Sequence, residues 1–245
     1  MQKIKSTILH QLYGGAGLVA GMWDPIQSAI FKVKAQKMTY LSRQALAGLS
    51  SAVKEIEHNQ IPGDIIETGS ALGGSAVILA LTKSRARRLK IYDVFGMIPE
   101  PSENDGSDVH ERYEVIKKGA AKGIHGDEYY GYKDDLVATV ANNIESFGPQ
   151  LETDHIELVE GLFEDTLVLD NEVALAHIDC DWYDSVMVSL ERIAPKLSVG
   201  GKFVMDDYYD WSGCRDATDD FFKDRKHQYS FETVGNKLHI KKLTA

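Results

Sequence analysis

Short apolar runs alternate with segments of helical periodicity along most of this chain. The runs predict buried strands at residues 64–67, 89–92, 156–159, 173–178 and 202–205. Apolar residues at helical spacing predict helices at residues 31–58, 75–81, 132–147, 185–197 and 216–222. Because strands and helices alternate, the pattern predicts an α/β domain built on a mostly parallel sheet.

The two ends of the chain follow different patterns. Residues 229–234 and 237–241 are strand-like runs on either side of Gly235-Asn236, which predicts an antiparallel hairpin at the sheet edge. Residues 1–36 include the run Gly14-Gly15-Ala16-Gly17, across which no helical period continues. We expect these residues to form an arm that is mobile or contacts a partner.

A long irregular segment, residues 97–131, interrupts the alternation. It is rich in proline, glycine, serine and acidic residues, with a short helix predicted at 109–118. A long connection inside a compact domain usually has a function, so we predict a lid over the substrate. His110 and His125 lie in this segment, but a single loop histidine is more often a surface residue, and neither is assigned a role.

Two of the predicted strands end in acidic residues. One is followed by Asp179 and Asp181, and the other by Asp206 and Asp207. The carboxyl ends of strands face the ligand crevice of an open α/β sheet, so Asp179, Asp206 and Asp207 are expected to converge. Their oxygens suit a hard ion such as Mg²⁺, which leaves Asp181 for a different task. A single aspartate here often caps the next helix, but two adjacent ones repel unless a cation, a proton or a basic partner intervenes.

A glycine turn and a second strand-end acid suggest a nucleoside site. Gly69 and Gly73-Gly74 separate the first strand from a helix start, in a spacing that differs from the GxGxxG of dinucleotide sites. Such a turn fits nucleotide binding and tight packing equally well. Asp93 ends the next strand, where it is placed to accept hydrogen bonds from both ribose hydroxyls. The alternative is that Asp93 caps a turn.

Composition limits the class of protein. A chain of 245 residues with 43% apolar content can bury one substantial core, so we predict a single domain over residues 1–245. The net charge of −10 opposes binding to nucleic acid and anionic membranes. No apolar stretch reaches the roughly 18 residues of a membrane span, and the start lacks a signal-peptide pattern. We therefore expect a soluble, cytoplasmic protein. Cys180 lies between two acids, whose negative charge disfavours a thiolate, so we expect it to be a packing residue.

Five segments together resemble a known family, the macrocin O-methyltransferases. They are Glu67-Thr68-Gly69, Asp93-Val94-Phe95, the run from Gly161 to Leu167, the run from Asp179 to Ser185, and the run from Gly200 to Tyr208. The resemblance covers about residues 37 to 224. It implies a Rossmann-like class I methyltransferase fold with a mostly parallel seven-stranded sheet and helices on both faces. It also implies an enzyme that uses S-adenosylmethionine and Mg²⁺ to methylate sugar hydroxyls of antibiotics.

The resemblance also implies roles for particular residues. Asp179, Asp206 and Asp207 would bind Mg²⁺, and Asp181 would be the general base. The cofactor-binding residues that it implies are Thr39, Tyr40, Glu67, Thr68, Gly69, Ser70, Ala71, Ser75, Asp93, Val94, Phe95, Leu162, Ile178 and Asp179. The chain departs from the family pattern at Ser70-Ala71-Leu72, at Val94 and at Cys180, and its lid segment is longer than the family's lid and does not resemble it in sequence.

The sequence is also compatible with other acceptors and other classes of protein. The expected partner is a small-molecule hydroxyl acceptor, and the alternatives are a catechol, a carboxylate or a lipid-like acceptor. A non-catalytic cofactor-binding protein is disfavoured by the four acids, and a dinucleotide dehydrogenase is disfavoured by the glycine spacing. The glycine-rich arm suggests a homo-oligomer, a dimer or a tetramer.

Overall fold

A seven-stranded sheet forms the centre of the computed structural model, which describes residues 24–244. Its strands are β1 (Asp64–Thr68), β2 (Leu89–Asp93), β3 (Ile156–Glu160), β4 (Val173–Ile178), β5 (Leu197–Met205), β6 (Tyr229–Val234) and β7 (Lys237–Lys242). Their order is β3-β2-β1-β4-β5-β7-β6. The first five strands pair in parallel, whereas β7 runs antiparallel to β5 and to β6. The mostly parallel sheet and the C-terminal hairpin are confirmed.

Helices cover both faces of the sheet. One face carries α1 (Pro25–Ala35), α2 (Arg43–His58), α3 (Gly74–Thr82) and α5 (Leu136–Ser146), whose apolar residues form one core. The other face carries the short α6 (Phe163–Thr166), then α7 (Tyr183–Ile193) and α8 (Ser212–Phe222), which form a second core. Strand β4 lies between the cores with all six residues buried, as expected for a central strand in a parallel sheet.

The prediction that residues 1–36 form an arm is wrong for the residues of this segment that the structure describes. Residues 25–35 form helix α1, which starts with Pro25 after an Asp24 side-chain cap and buries Ile26, Ala29, Ile30 and Val33. These four residues have helical spacing, but the glycines before residue 22 concealed it. The predicted helix 31–58 is therefore two helices, separated by a break that includes Lys37 at φ 57°. Residues 1–23 lie outside the described part of the chain.

Other element boundaries shift where glycine or a loop obscured the pattern. Strand β5 begins at Leu197 instead of residue 202, because Gly200-Gly201 lies inside it, and α7 consequently ends earlier, at Ile193. Helix α8 begins at Ser212 instead of residue 216. Helix α5 begins at Leu136, since residues 130–132 form a 3-10 turn. Among residues 24–244, no helix is long and apolar enough to cross a membrane.

The predicted lid segment contains helix α4 (Ser107–Lys117) and two 3-10 turns. Val109 and Tyr113 of α4 pack against Trp182. Trp182 follows the first acid motif, Asp179 and Asp181; the second acid motif is Asp206-Asp207. His110 and His125 are exposed, in agreement with the surface positions expected for them. The segment is thus folded against the edge of the sheet where the acid motifs lie.

Helix α1 gives a direct test of the first core. Ile30 is 1% exposed, so Ile30→Ala should lower the free energy of unfolding by about 2–5 kcal/mol through lost burial and an unfilled cavity. Lys32→Ala on the exposed side of the same helix should change it by less than about 0.5 kcal/mol. Urea denaturation measures both variants, and equal midpoints would show that α1 does not pack as described.

Candidate active site

Two adjoining cavities open at the carboxyl ends of β1, β2, β4 and β5. The first is lined by Val94, Leu162 and lid residues 98–102. The second is lined by Tyr40, Arg112 and the acid motifs. Both cavities share one set of residues, which is Gly69, Asp93, Tyr130, Asp179, Asp181 and Trp182. The acid motifs and the glycine turn therefore meet at one place, as their positions at the carboxyl ends of the strands predict.

The backbone of the glycine turn lies directly against the first acid motif. Gly69 has a φ of 86°, and a Cβ added there would overlap the carbonyl oxygen of Asp179. The amide of Gly69 donates to the Tyr92 carbonyl at 2.8 Å, and the amide of Asp179 donates to the Thr68 carbonyl at 2.9 Å. Glycine is required at residue 69 because both the backbone angle and the available space exclude a side chain.

We expect Gly69→Ala to disrupt this turn. The left-handed backbone and the overlap with Asp179 should together lower the free energy of unfolding by about 2–4 kcal/mol. Gly119→Ala is a matched control, since Gly119 has a φ of 68° but no atom within 4 Å of an added Cβ. Thermal unfolding and calorimetry measure both variants. An equal loss of stability in Gly69→Ala and Gly119→Ala would show that the overlap with Asp179 does not cause the loss.

Asp93 is held by the turns around it. One carboxylate oxygen accepts from the Ser70 amide at 2.7 Å and from the Ser70 hydroxyl at 3.3 Å, and the other accepts from the Phe95 amide at 2.7 Å. Burial raises the pKa of Asp93, and these hydrogen bonds oppose the shift. Asp93 thus caps turns, as the alternative interpretation expected, while it also lines both cavities.

The structure brings most of the predicted site residues to the cavity walls. Those that line at least one cavity are Thr39, Tyr40, Gly69, Ser70, Ala71, Ser75, Asp93, Val94, Leu162, Asp179, Asp181, Asp206 and Asp207. Those that are buried behind the walls and line neither cavity are Glu67, Thr68, Phe95 and Ile178.

Three carboxylates form a tight cluster. Asp179, Asp181 and Asp207 each place an oxygen within 4.8 Å of the other two. Burial together with the neighbouring acids raises the pKa of Asp179 and of Asp207 well above the usual range, and burial raises the pKa of Asp181 to about 6. One buried oxygen of Asp207 has no hydrogen-bond partner. Crowded carboxylates with an unpartnered oxygen fit a small divalent cation.

Asp206, predicted as a metal ligand, is partly engaged elsewhere. Its Oδ2 lies 3.0 Å from the Nζ of Lys237, which also contacts Asp210 at 2.8 Å. Burial alone would raise the pKa of Asp206, but His177 and Lys237 outweigh burial and lower it. Its Oδ1 makes no hydrogen bond. Lys237 is thus a basic partner of the kind that the adjacent acids Asp206 and Asp207 were expected to need. The sequence did not reveal it because the lysine lies on the distant C-terminal hairpin.

His177 links the glycine turn to the acid pair. Its Nδ1 lies 2.9 Å from Glu67 Oε1, and its Nε2 lies 3.7 Å from Asp206 Oδ1. Burial opposes protonation, but Asp206 and Glu67 outweigh it and raise the pKa of His177 to about 10. Glu67 is turned toward His177, which explains why it does not line a cavity. The sequence signal was a histidine inside an apolar strand, two residues before Asp179 and hence on the same face.

Aromatic side chains form much of the wall of the second cavity. They are Tyr40, Tyr129, Tyr130, Trp182 and Trp211. The guanidinium of Arg112 on helix α4 lies 5.5 Å from the centre of the Tyr129 ring. Sequence reasoning missed most of this wall because its residues come from the lid and from loops, where no periodic pattern marks an inward-facing side chain.

Comparisons with known proteins agree with this architecture. The model of the macrocin O-methyltransferase family matches residues 32–237. A tetracenomycin 4'-O-methyltransferase of Streptomyces olivaceus is 31% identical over 75% of this chain and 67% of its own length. Mycinamicin III 3''-O-methyltransferase of Micromonospora griseorubida is 28% identical over 94% of this chain and 90% of its own.

Solved structures share the fold. The O-methyltransferase NovP superposes with a TM-score of 0.71 at 22% identity, covering 85% of this chain and 83% of its own. A putative caffeoyl-CoA O-methyltransferase from Staphylococcus aureus gives a TM-score of 0.55 at 15% identity, over 96% of this chain and all of its own. The predicted class I Rossmann-like fold is therefore confirmed. With the family model matching most of the sequence, this chain is an O-methyltransferase that belongs to the macrocin O-methyltransferase family.

Proposed function

We propose that this enzyme uses S-adenosylmethionine and Mg²⁺ to methylate a sugar hydroxyl of a secondary metabolite. The observation that carries the proposal is the cluster of Asp179, Asp181 and Asp207 beside the glycine turn, at the junction of two cavities. The matched relatives are named for methylation of glycosylated antibiotics, which supports the choice of a sugar acceptor.

The two cavities divide the proposed ligands between them. Val94, Leu162 and Phe163 give the first cavity an apolar wall suited to adenine, with Asp93 at its junction with the second. The cofactor would extend from there past Gly69 toward Thr39 and Ser75, which line the second cavity. The acceptor would occupy the remainder of the second cavity, where aromatic faces and carboxylates suit the C–H and O–H groups of a sugar.

Four aspartates have distinct proposed roles. Asp179 and Asp207, whose oxygens lie within 4.8 Å of each other, would bind the cation. Asp206 would contribute its Oδ1, which makes no hydrogen bond and lies 3.7 Å from His177 Nε2, while Lys237 holds Oδ2. Asp181 would be the general base, since a carboxylate whose pKa is raised to about 6 accepts a proton more readily than an ordinary one.

The reaction requires one proton acceptor and one fixed geometry. Bound S-adenosylmethionine would supply an electrophilic methyl group, and a bound divalent cation would lower the pKa of the acceptor hydroxyl. As the methyl group passes from the sulfur to the acceptor oxygen, a carboxylate oxygen of Asp181 would take the hydroxyl proton, and S-adenosylhomocysteine would be the leaving product. The close backbone contact between Gly69 and Asp179 would hold the two halves of the site together, and such positioning would supply much of the rate.

The remaining expectations extend this proposal. Residues 97–131 would act as a lid, since residues 98–102 line the first cavity and Arg112 and Tyr129 line the second. The net charge of −10 supports a small-molecule acceptor over nucleic acid or a membrane surface. A homo-oligomer formed through the N-terminal arm stays a prediction, because residues 1–23 lie outside the described part of the chain.

Methyl-labelled S-adenosylmethionine tests the proposal directly. The enzyme would be incubated with a library of glycosylated metabolites, their aglycones and simple catechols, with Mg²⁺ or with excess EDTA. We expect label on a sugar oxygen, only with Mg²⁺ present. Label on a catechol alone would contradict the proposed sugar acceptor. Full activity in EDTA would contradict the proposed requirement for Mg²⁺. Binding of NAD in preference to S-adenosylhomocysteine would overturn the cofactor.

A further inference from the structure

The two helices that follow the acid motifs lack caps of their own. Helix α7 begins two residues after Asp181, and helix α8 begins shortly after Asp207. In both, the residue before the helix is a tryptophan, Trp182 or Trp211, whose side chain makes no capping hydrogen bond. The first amides of a helix need an acceptor, which a neighbouring serine, threonine, aspartate or asparagine usually supplies.

Two aspartates of the lid segment supply these caps from a distance. Asp105 Oδ1 accepts from the amide of Tyr183, the first residue of α7, at 2.8 Å. Asp108 Oδ2 accepts from the amide of Ser212, the first residue of α8, at 3.0 Å, and its other oxygen accepts from the Ser212 hydroxyl. A carboxylate is a favourable partner in both places because a helix N-terminus carries partial positive charge.

The contact between lid, acid motif and helix α8 leaves little free space. Asp105 is 8% exposed, and its other carboxylate oxygen accepts from the Ser102 amide at 3.0 Å. A Cβ added at Gly213 would overlap Asp105 Oδ1 and lie 2.8 Å from the Tyr183 amide nitrogen and 3.0 Å from the Asp181 carbonyl oxygen. Three segments distant in sequence therefore meet at one point beside the proposed base.

A second set of contacts joins the same segments. The indole Nε1 of Trp182 donates to the Pro99 carbonyl at 3.0 Å, and Asn104 donates to the side chain of Asp184 at 3.0 Å. The rings of Trp182 and Trp211 meet edge to face with 6.0 Å between their centres. Asp181 itself has a φ of 46°, an uncommon angle for aspartate that surrounding contacts must maintain.

We propose that Asp105 and Asp108 are positioning residues, which cap α7 and α8 and so make the geometry of the acid cluster depend on a seated lid. The inference rests on the proposed function. When the lid moves away from the sheet, both caps are lost together. The N-termini of α7 and α8 are then no longer held, and the loops that carry Asp179, Asp181 and Asp207 into these helices become less ordered. The enzyme thereby completes its acid cluster only with the lid in place.

Four variants of the full chain test this proposal. Asp105→Ala and Asp108→Ala each remove one cap. Asp108→Asn keeps both contacts to Ser212, because its amide oxygen accepts from the backbone and its amide nitrogen can donate to the hydroxyl. Glu103→Ala removes the same charge from an exposed acid of the same segment that makes no hydrogen bond to α7 or α8.

The readouts are independent of the unidentified acceptor. Mn²⁺ affinity is measured by electron paramagnetic resonance with S-adenosylhomocysteine present, and amide exchange is followed in segments 179–182 and 206–209. We expect each alanine variant to weaken Mn²⁺ binding about ten-fold and to speed exchange in the segment next to its helix by a similar factor. Asp108→Asn and Glu103→Ala should match the unaltered chain.

Two results would overturn the proposal. The first is an alanine variant that lowers only the melting temperature, with Mn²⁺ affinity and exchange in both segments unchanged, since the caps would then only stabilise the fold. The second is an asparagine variant as impaired as Asp108→Ala. If the unaltered chain does not bind Mn²⁺, the proposed cation chemistry fails, and exchange in the two segments alone then decides the role of the caps.

Discussion

Asp181→Asn should lower the rate of methyl transfer by about 10²–10⁴-fold, the usual contribution of a general base. Asparagine keeps the size of the side chain, but it cannot accept the hydroxyl proton. S-adenosylhomocysteine affinity should be unchanged, and Mn²⁺ affinity should fall little, because the proposed ligands are retained. Turnover with the acceptor from the labelling screen, together with calorimetry for both ligands, measures the effect.

The same variant decides between two roles for Asp181. Its oxygens lie within 4.8 Å of those of Asp179 and Asp207, so geometry alone would also allow it to bind the cation. A loss of Mn²⁺ affinity as large as that of a ligand variant would make Asp181 a ligand and exclude it as the base. Glu191→Gln, at an exposed acid of α7 that lines neither cavity, is the matched control for the change in charge.

Asp207→Asn should abolish metal-dependent turnover by weakening divalent-cation binding at least about 100-fold. Replacing a partner one step removed from a metal commonly costs 10–100-fold in affinity, so losing a ligand should cost no less. The folded chain should remain at least as stable, because removing one of three crowded carboxylates relieves their repulsion. Mn²⁺ titration and thermal unfolding, both without acceptor, measure the two effects.

The S-adenosylhomocysteine affinity of the same variant shows whether the site as a whole is intact. S-adenosylhomocysteine should bind Asp207→Asn nearly as well as the unaltered chain, because Gly69 and Asp93 are untouched. Asp216→Asn, an exposed acid of helix α8, should leave both affinities unchanged. Retained Mn²⁺ affinity in Asp207→Asn would remove the cation from the proposed mechanism, even if turnover were lost.

Much of the fold follows from local sequence patterns. Strand β4 was predicted with its observed bounds, and the hairpin was predicted to within one residue, because an apolar run or an alternation flanked by turn residues is a property of neighbours in the chain. Helix α1 shows the opposite case. Its pattern was present, but the nearby glycines led to the wrong interpretation of an arm.

The sequence by itself determined the parallel sheet and the position of acids at two strand ends, since both depend on residues close together in the chain. Only the tertiary structure decided which carboxylates cluster, that Lys237 holds Asp206, and that Glu67 faces His177. The caps that Asp105 and Asp108 give to α7 and α8 belong to the same group. These contacts join residues from about 30 to more than 100 positions apart, and strand order and side-chain direction select such partners in ways that local periodicity does not encode.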